Sequence, residues 1–334
     1  MTRIVRSGLA VLAVAALVGA FARREDTAWT GALLVGEPLI AVVAAGGVYL
    51  CLTTGHRPRA FAILVGWVLA AVAVRVPRNP TPIMEVEPSF ARAIGSCASH
   101  LKLPSGGFNL FQWTFDGADT DEVLRAVLAE GADVNVVFGD RLGTISAAIV
   151  EGLGGEVHVH EEGATRLLVH TRGVFNLCGA DAEWAHGLED EVGVAVAFVG
   201  VREGLIFPIV TARLPHLADD GGYATGRIVS RQRLRGILRA MESSLAVVVA
   251  DAEAPWTFTG LDVGMRALSM RPVRVPPTWP ARVAGVPTPP LHPFDRVWAG
   301  PAWRVARSER VRMTTSSRDA VRTRFEPAVI TSDP

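Results

Sequence analysis

The stretch Phe108-Asn109-Leu110-Phe111-Gln112-Trp113 alternates in the manner of a β-strand. Residues 119–131 follow with Val123, Leu124, Val127 and Leu128 at helical spacing, Thr120 or Asp119 placed to cap the N-terminus and Gly131 placed to stop the helix. Residues 133–138 read as a second strand. Strand, helix and strand within about 30 residues make a βαβ-type unit.

Working outward, strands dominate: 156–160, 166–171, 192–201 and 205–214. Residues 229–243 form a helix with Leu234, Ile237, Leu238 and Met241 on one face, and it feeds the apolar run 245–250, a buried strand. A proline-rich passage from Pro272 to Pro293 precedes strands at 294–298, 305–310 and 320–325. Many strands with a few helices between them predict a two-sheet α/β sandwich carrying its helices on the outer faces. The domain is expected to span 108–325, with a loose tail at 326–334.

Upstream the composition changes. Of 334 residues 49% are hydrophobic and 20% charged, and the apolar surplus lies in 1–75, where Ser7 to Val74 contains three acidic residues, Glu25, Asp26 and Glu37. Three apolar stretches, 8–22, 27–54 and 60–74, read as membrane-embedded helices, since crossing a hydrocarbon layer takes ~20 residues. The first also has the marks of a signal peptide: Arg3 and Arg6, an apolar centre, and Ala20-Phe21-Ala22. Three spans, or a cleaved signal followed by a two-span hairpin, both place the following domain outside the cytoplasm. A linker at 76–107, marked by Pro77, Pro80, Pro82, Pro88 and Pro104 and a short helix around 90–100, joins the two parts.

The charge balance is 33 basic against 33 acidic residues, so no global field draws the chain to nucleic acid. Three cysteines, Cys51, Cys97 and Cys178, exclude a disulfide scaffold or a CxxC zinc site. The chain has no P-loop, no GxGxxG after a strand and no Gly-x-Ser-x-Gly elbow, and Gly152-Leu153-Gly154-Gly155 reads as a turn. His158 and His160 share one strand face, but nothing with ligand spacing stands nearby, so they read as a polar outer face. Trp256, Trp279, Trp298 and Trp303 fit core packing or loop clamping.

Four pieces of sequence carry a family resemblance. Val247-Val248-Val249-Ala250-Asp251-Ala252-Glu253-Ala254-Pro255-Trp256 looks like a strand-end Asp-x-Asn motif followed by Pro-Trp. Pro277-Thr278-Trp279-Pro280 and Phe294-Asp295-Arg296-Val297 look like a late loop and an Ile-Asp-His-Val strand, and Ser316-Ser317-Arg318-Asp319 falls at a terminal Ser-Asp-His-Arg motif. In this order the chain from Phe108 to Phe325 resembles the endonuclease/exonuclease/phosphatase superfamily, in particular bacterial members that follow membrane helices. The resemblance implies phosphoester hydrolysis assisted by Mg²⁺ or Mn²⁺, in which the ion neutralises the phosphate and polar groups aim the attacking water.

Placed on this chain, the family's functional positions are largely substituted. The early Asn falls at Thr114, the metal-binding Glu at Gly139 with Asp140 one residue on, and the mid-chain His at Arg213. The Asp-x-Asn pair becomes Asp251 and Glu253, and the terminal His becomes Arg318, beside an orienting Asp retained at Asp295. Arginine does not lose a proton near neutral pH and cannot replace a His as base. Asp251 and Asp295 alone keep the family residue.

Three outcomes are compatible with this pattern: a salt-bridged plug filling a dead site, an anion site in which Arg213 and Arg318 with Thr114 and Glu253 hold a phosphate without hydrolysing it, or a metal enzyme using Asp140, Asp251 and Glu253 as oxygen ligands. The expectation is a membrane-anchored, extracytoplasmic pseudoenzyme without a cofactor, binding a phosphate-containing small molecule or lipid headgroup. The alternative is a working Mg²⁺- or Mn²⁺-dependent phosphoesterase.

Overall fold

The computed structural model describes residues 53, 55, 106–116, 119–160, 166–175, 194–202, 205–213, 232, 234–239, 244–251, 264–283, 286–290, 293 and 295–328. The apolar stretches (save Thr53), the short linker helix, Met241, Trp256, Cys97 and Cys178 lie outside them. Among the described residues no helix is long and apolar enough to cross a membrane.

In chain order the elements are β1 (Phe108–Thr114), α1 (Thr120–Glu130), β2 (Val134–Phe138), α2 (Ser146–Leu153), β3 (Glu156–His160), β4 (Leu167–Thr171) and β5 (Val174–Phe175). There follow β6 (Val194–Arg202), β7 (Leu205–Arg213), β8 (Val247–Asp251), β9 (Arg271–Pro272), β10 (Arg282–Val283), β11 (Val286–Pro287), β12 (Asp295–Ala299), β13 (Trp303–Val311) and β14 (Ala320–Pro327). Residues 234–239 are helical, with Leu234, Ile237 and Leu238 buried as the periodicity requires.

Two six-stranded sheets form, ordered β13-β14-β1-β2-β4-β3 and β5-β6-β7-β8-β12-β9, with a small ribbon of β10 and β11 beside them. Each large sheet is built around one parallel pair, β1 with β2 and β7 with β8, and its other pairings are antiparallel. The parallel β1–β2 pair is the βαβ unit expected from the sequence. Its helix starts where Asp119 accepts the backbone N–H of Asp121, and ends where Gly131 takes the left-handed conformation at φ 52° that favours glycine.

Alternation on β1 divides the interior. Phe108 and Leu110 face the other sheet and join Val247, Val249, Val297, Phe207 and Trp303 in the core between the sheets. Phe111 and Trp113 face the opposite way and pack under Val123 and Val127 of α1 and Ile149 of α2. At the closed end of the sandwich Phe108 stacks on Phe325 at 4.9 Å, Phe207 lies 4.4 Å away, and Trp303 meets Phe108 edge-on. Trp303 is fully satisfied there, because its indole N–H donates to the Leu245 carbonyl at 2.7 Å. Trp298 and Trp303 are thus core residues, in keeping with the packing role read from the sequence.

Two readings change. Gly152 and Leu153 close α2 rather than a free turn, a helix obscured in the sequence by its short length and two flanking glycine-rich stretches. The last strand runs on to Pro327, with Pro327 opposite Trp303 and Glu326 ion-paired to Arg304, so the tail begins later than expected.

Candidate functional site

The carboxyl ends of β1, β2, β7 and β8 open at the same end of the sandwich, where open α/β sheets place their ligands. On one sheet, register sets Arg213, Asp251 and Asp295 side by side on three adjacent strands: Arg213 opposes Asp251, and Asp251 opposes Asp295. Strand alternation turns these toward the inter-sheet space, since Val249 and Val297, two residues away, belong to the core. On the facing sheet, Thr114 ends β1 on the same inner side as Leu110.

Asp251 and Asp295 are both completely buried, and like charges directly opposed across a strand pair repel. The structure separates their roles. Asp251 receives Arg318 at 2.8 Å, with the Arg213 Nε at 3.8 Å from its other oxygen. Asp295 instead accepts the Thr114 hydroxyl at 2.7 Å and the Thr278 hydroxyl at 2.8 Å, one on each oxygen. Burial pushes the Asp295 carboxyl above the ordinary range. Arg318 opposes that rise, Asp251 adds to it, and the two threonine hydroxyls oppose it.

Asp251 is thus the carboxylate that takes both arginines, while Asp295 is bonded to two hydroxyls. The arginine side chain reaches across to Asp251, and the hydroxyl of Thr114, at the family's Asn position, becomes a partner of Asp295. Thr278, in the stretch resembling the late loop, is the second partner and was not singled out from the sequence.

Arg318 is held by a loop whose role the sequence did not disclose. Thr314 and Thr315 donate their backbone N–H and hydroxyl groups to Glu122 of α1, and the hydroxyls of Ser316 and Ser317 donate to Asp116 just after β1. Trp113 adds an indole N–H to the Arg318 carbonyl at 3.1 Å. Burial would raise the Glu122 carboxyl, but the hydrogen bonds from Thr314 and Thr315 together outweigh it and hold the group below its usual range. Four consecutive hydroxyl residues facing two acids about 200 positions earlier were the available signal, though only the fold reveals the pairing.

Arg318 is 5% exposed, whereas a quarter of the Arg213 side chain remains open. Arg213 is thus the cation that an incoming solute meets first.

The other candidate positions are placed differently. At the end of β2, Gly139 has φ 155°, and a Cβ built there would lie 2.8 Å from the Phe115 carbonyl oxygen. A side chain in the family's Glu position has no room without backbone movement. Asp140 is exposed and ion-paired to Arg166 at 2.7 Å. Glu253 lies outside the described residues. His158 and His160 share one face of β3, but they pair with Val169 and Leu167 of the inter-sheet core, so the face is the inner side of the sheet at its edge and the outer-face reading is corrected.

A divalent ion of the Mg²⁺ type calls for several hard oxygen donors around one point. Here the Thr114 hydroxyl and Thr278 are bonded to Asp295, and Asp251 faces a guanidinium. Among the described residues no group of three or more His, Cys, Asp or Glu is arranged to hold a metal. This donor set does not fit the ion implied by the family resemblance.

No protein-family model matches the chain, and no curated protein matches it. Solved structures do. An endonuclease/exonuclease/phosphatase from Beutenbergia cavernae is similar with 14% identity and a TM-score of 0.47, over 67% of this chain and 72% of its own. An endonuclease/exonuclease/phosphatase from Bacteroides vulgatus has 13% identity and a TM-score of 0.49, over 66% and 99%. The human Nocturnin catalytic domain with a bound sulfate anion has 13% identity and a TM-score of 0.49, over 68% and 96%. The first two carry the name of the superfamily that the sequence resembles.

Proposed function

We propose that this chain is a membrane-anchored, extracytoplasmic protein of the endonuclease/exonuclease/phosphatase fold that binds an anionic, phosphate-type ligand between its sheets and does not hydrolyse it. One observation carries the reading: Arg318, buried at the position of a family proton carrier, neutralises Asp251 at 2.8 Å. A guanidinium stays protonated near neutral pH, so it supplies fixed positive charge and neither takes nor gives a proton. Arg213, a quarter open to solvent, adds a second cation 3.8 Å from the other oxygen of the same carboxylate. Two guanidinium groups around one carboxylate favour a further anion, because planar N–H donors match phosphate oxygens well.

The anchoring part of the proposal is supported by the three apolar stretches between residues 8 and 74, which deliver the domain to the outer side in either version of the topology. A reporter active only in the cytoplasm, fused after Pro334, is expected to stay silent. Activity of that fusion would reverse the orientation.

The binding part is tested on the full-length chain in detergent. Inorganic phosphate or pyrophosphate is expected to raise the melting temperature, since a ligand at 100 times its dissociation constant adds about 2.7 kcal/mol. A generic phosphodiester incubated with Mg²⁺ or Mn²⁺ is expected to show no turnover that EDTA abolishes. Metal-dependent turnover would establish the phosphoesterase alternative, and melting indifferent to every anion would leave a structural module.

A further inference from the structure

Gln112 occupies the inner face of β1 between Leu110 and Thr114, one step deeper in the sandwich than the Thr114–Asp295 contact. It is 1% exposed, and neither its Nε2 nor its Oε1 has a hydrogen-bond partner. Its neighbours in register are Val136 on β2 and Val321 on β14, both apolar and buried. A buried amide left unpaired costs about 1–3 kcal/mol, and any apolar residue of similar shape at that position would avoid the cost. Nearby at this end, Thr114 and Thr278 are bonded to Asp295, and Arg318 to Asp251. Gln112 differs from them in having both a donor and an acceptor unused.

Resting on the anion-binding reading, we infer that Gln112 is the floor of that site and that the ligand is a hydroxylated phosphate ester: its phosphate meets Arg213 and Arg318 at the mouth, and a hydroxyl on its organic arm bonds the Gln112 amide. One hydroxyl satisfies both halves of an amide, accepting from Nε2 and donating to Oε1. Two residues along a strand advance about 7 Å, the reach of a phosphorylated three-carbon polyol whose arm parts the Thr114–Asp295 contact as it enters between the sheets. A hydroxyl missing from the ligand leaves the amide buried and unpaired in the complex, which is how polar floors discriminate between analogues.

The test compares glycerol 3-phosphate with propyl phosphate, which lacks the hydroxyls, by calorimetric titration of the full-length chain in detergent. The wild type is expected to bind glycerol 3-phosphate about tenfold more tightly, a difference of about 1.4 kcal/mol. Gln112→Leu and the nearly isosteric Gln112→Met are expected to bring the ratio to within about twofold while keeping propyl phosphate affinity. Unliganded, neither variant is expected to melt below the wild type, and a fall in both would show that the amide serves the fold and overturn the proposal. So would a preference unchanged by the variants, or no preference in the wild type while both esters bind. If neither ester nor inorganic phosphate binds the wild type, the anion-binding reading itself fails. A second arm uses dihexanoyl phosphatidylglycerol: binding lost in Gln112→Met assigns the polyol phosphate to a lipid headgroup, and loss confined to glycerol 3-phosphate assigns it to a free ester.

Discussion

The two sheets share one plan and differ at their open ends. Each has a parallel pair flanked by antiparallel strands, and each packs apolar residues against the other along the closed half. Yet the β7, β8 and β12 ends present Arg213, Asp251 and Asp295, whereas the β1 and β2 ends present Thr114, Phe138 and Gly139. One sheet keeps its ionic groups, and the other contributes one hydroxyl and a glycine. A metal site built across two sheets needs donors from both, and the ends of β1 and β2 offer one hydroxyl. Arg318 occupies this end of the sandwich, reaching Asp251 from a loop that the β1–α1 segment holds in place.

The largest effect should come from the charged side. Asp251→Ala removes the buried carboxylate that Arg318 meets at 2.8 Å, and breaking such a pair costs about 3–5 kcal/mol. Replacing both members with apolar residues, as in Asp251→Leu with Arg318→Met, is expected to recover most of that loss, because two desolvation penalties vanish together. Urea unfolding of the three proteins measures the difference. A single Asp251→Ala that costs under 1 kcal/mol would show that the buried pair does not hold this end of the sandwich together.

The neutral side gives a smaller and different response. Gly139→Ala forces a Cβ to within 2.8 Å of the Phe115 oxygen in a backbone conformation that side chains rarely adopt. The expected loss is about 1–3 kcal/mol. Gly139→Glu, which restores the family's carboxylate, should destabilise at least as much and should not confer Mg²⁺ dependence. If it folded normally and bound magnesium, the difference between the sheets would reduce to one substitution.

The loop between β13 and β14 joins the two sides and ranks next. Glu122→Gln removes a charged acceptor for Thr314 and Thr315, and hydrogen bonds to charged groups contribute about 1.5–3 kcal/mol. Part of that remains because the amide oxygen still accepts, so a loss of about 1–2 kcal/mol is expected in the same unfolding measurement. A neutral result would mean that Trp113 and Asp116 suffice to hold Arg318.

Much of this architecture was legible in the sequence because local pattern and tertiary role agreed. Alternation in β1, the Asp119 cap and the Gly131 stop describe the first βαβ unit without reference to the rest of the chain. Asp251 and Asp295 were legible as strand-end positions, and register then places them opposite one another. Partner choice was not legible. Nothing in the composition of Ser316-Ser317-Arg318-Asp319 says that the arginine will cross to Asp251 and leave Asp295 to Thr114 and Thr278, because that depends on where a loop is fastened two hundred residues away. Gln112 was equally silent: in a strand pattern it is one more polar residue, and only its place between Leu110 and Thr114 on the inner face shows that it is buried.

The finest distinction between the two regions is a sign rather than a size. The Asp295 carboxyl is pushed up by burial, so folding favours its protonated form. Its contribution to stability is complete below the ordinary aspartate range and is lost as pH rises through the raised value. Glu122 runs the other way: despite burial, the threonine hydrogen bonds hold it down, so its contribution is present above the ordinary glutamate range and is lost as pH falls through the lowered value. Asp295→Asn should therefore gain on the wild type as pH is raised from about 4 toward 7, because the variant does not ionise a buried group. Glu122→Gln should lose ground over its acid window, its deficit growing as the wild-type carboxylate forms. Unfolding free energies taken from about pH 2 to 7, with the two differences plotted against pH, should slope in opposite directions, the Glu122 difference on the acid side of the ordinary carboxylate range and the Asp295 difference above it. Parallel slopes would mean that Arg318 screens Asp295 well enough to keep it ionised, and the two acids opposed on β8 and β12 would then share one arginine rather than dividing the work between an ion pair and a pair of hydroxyls.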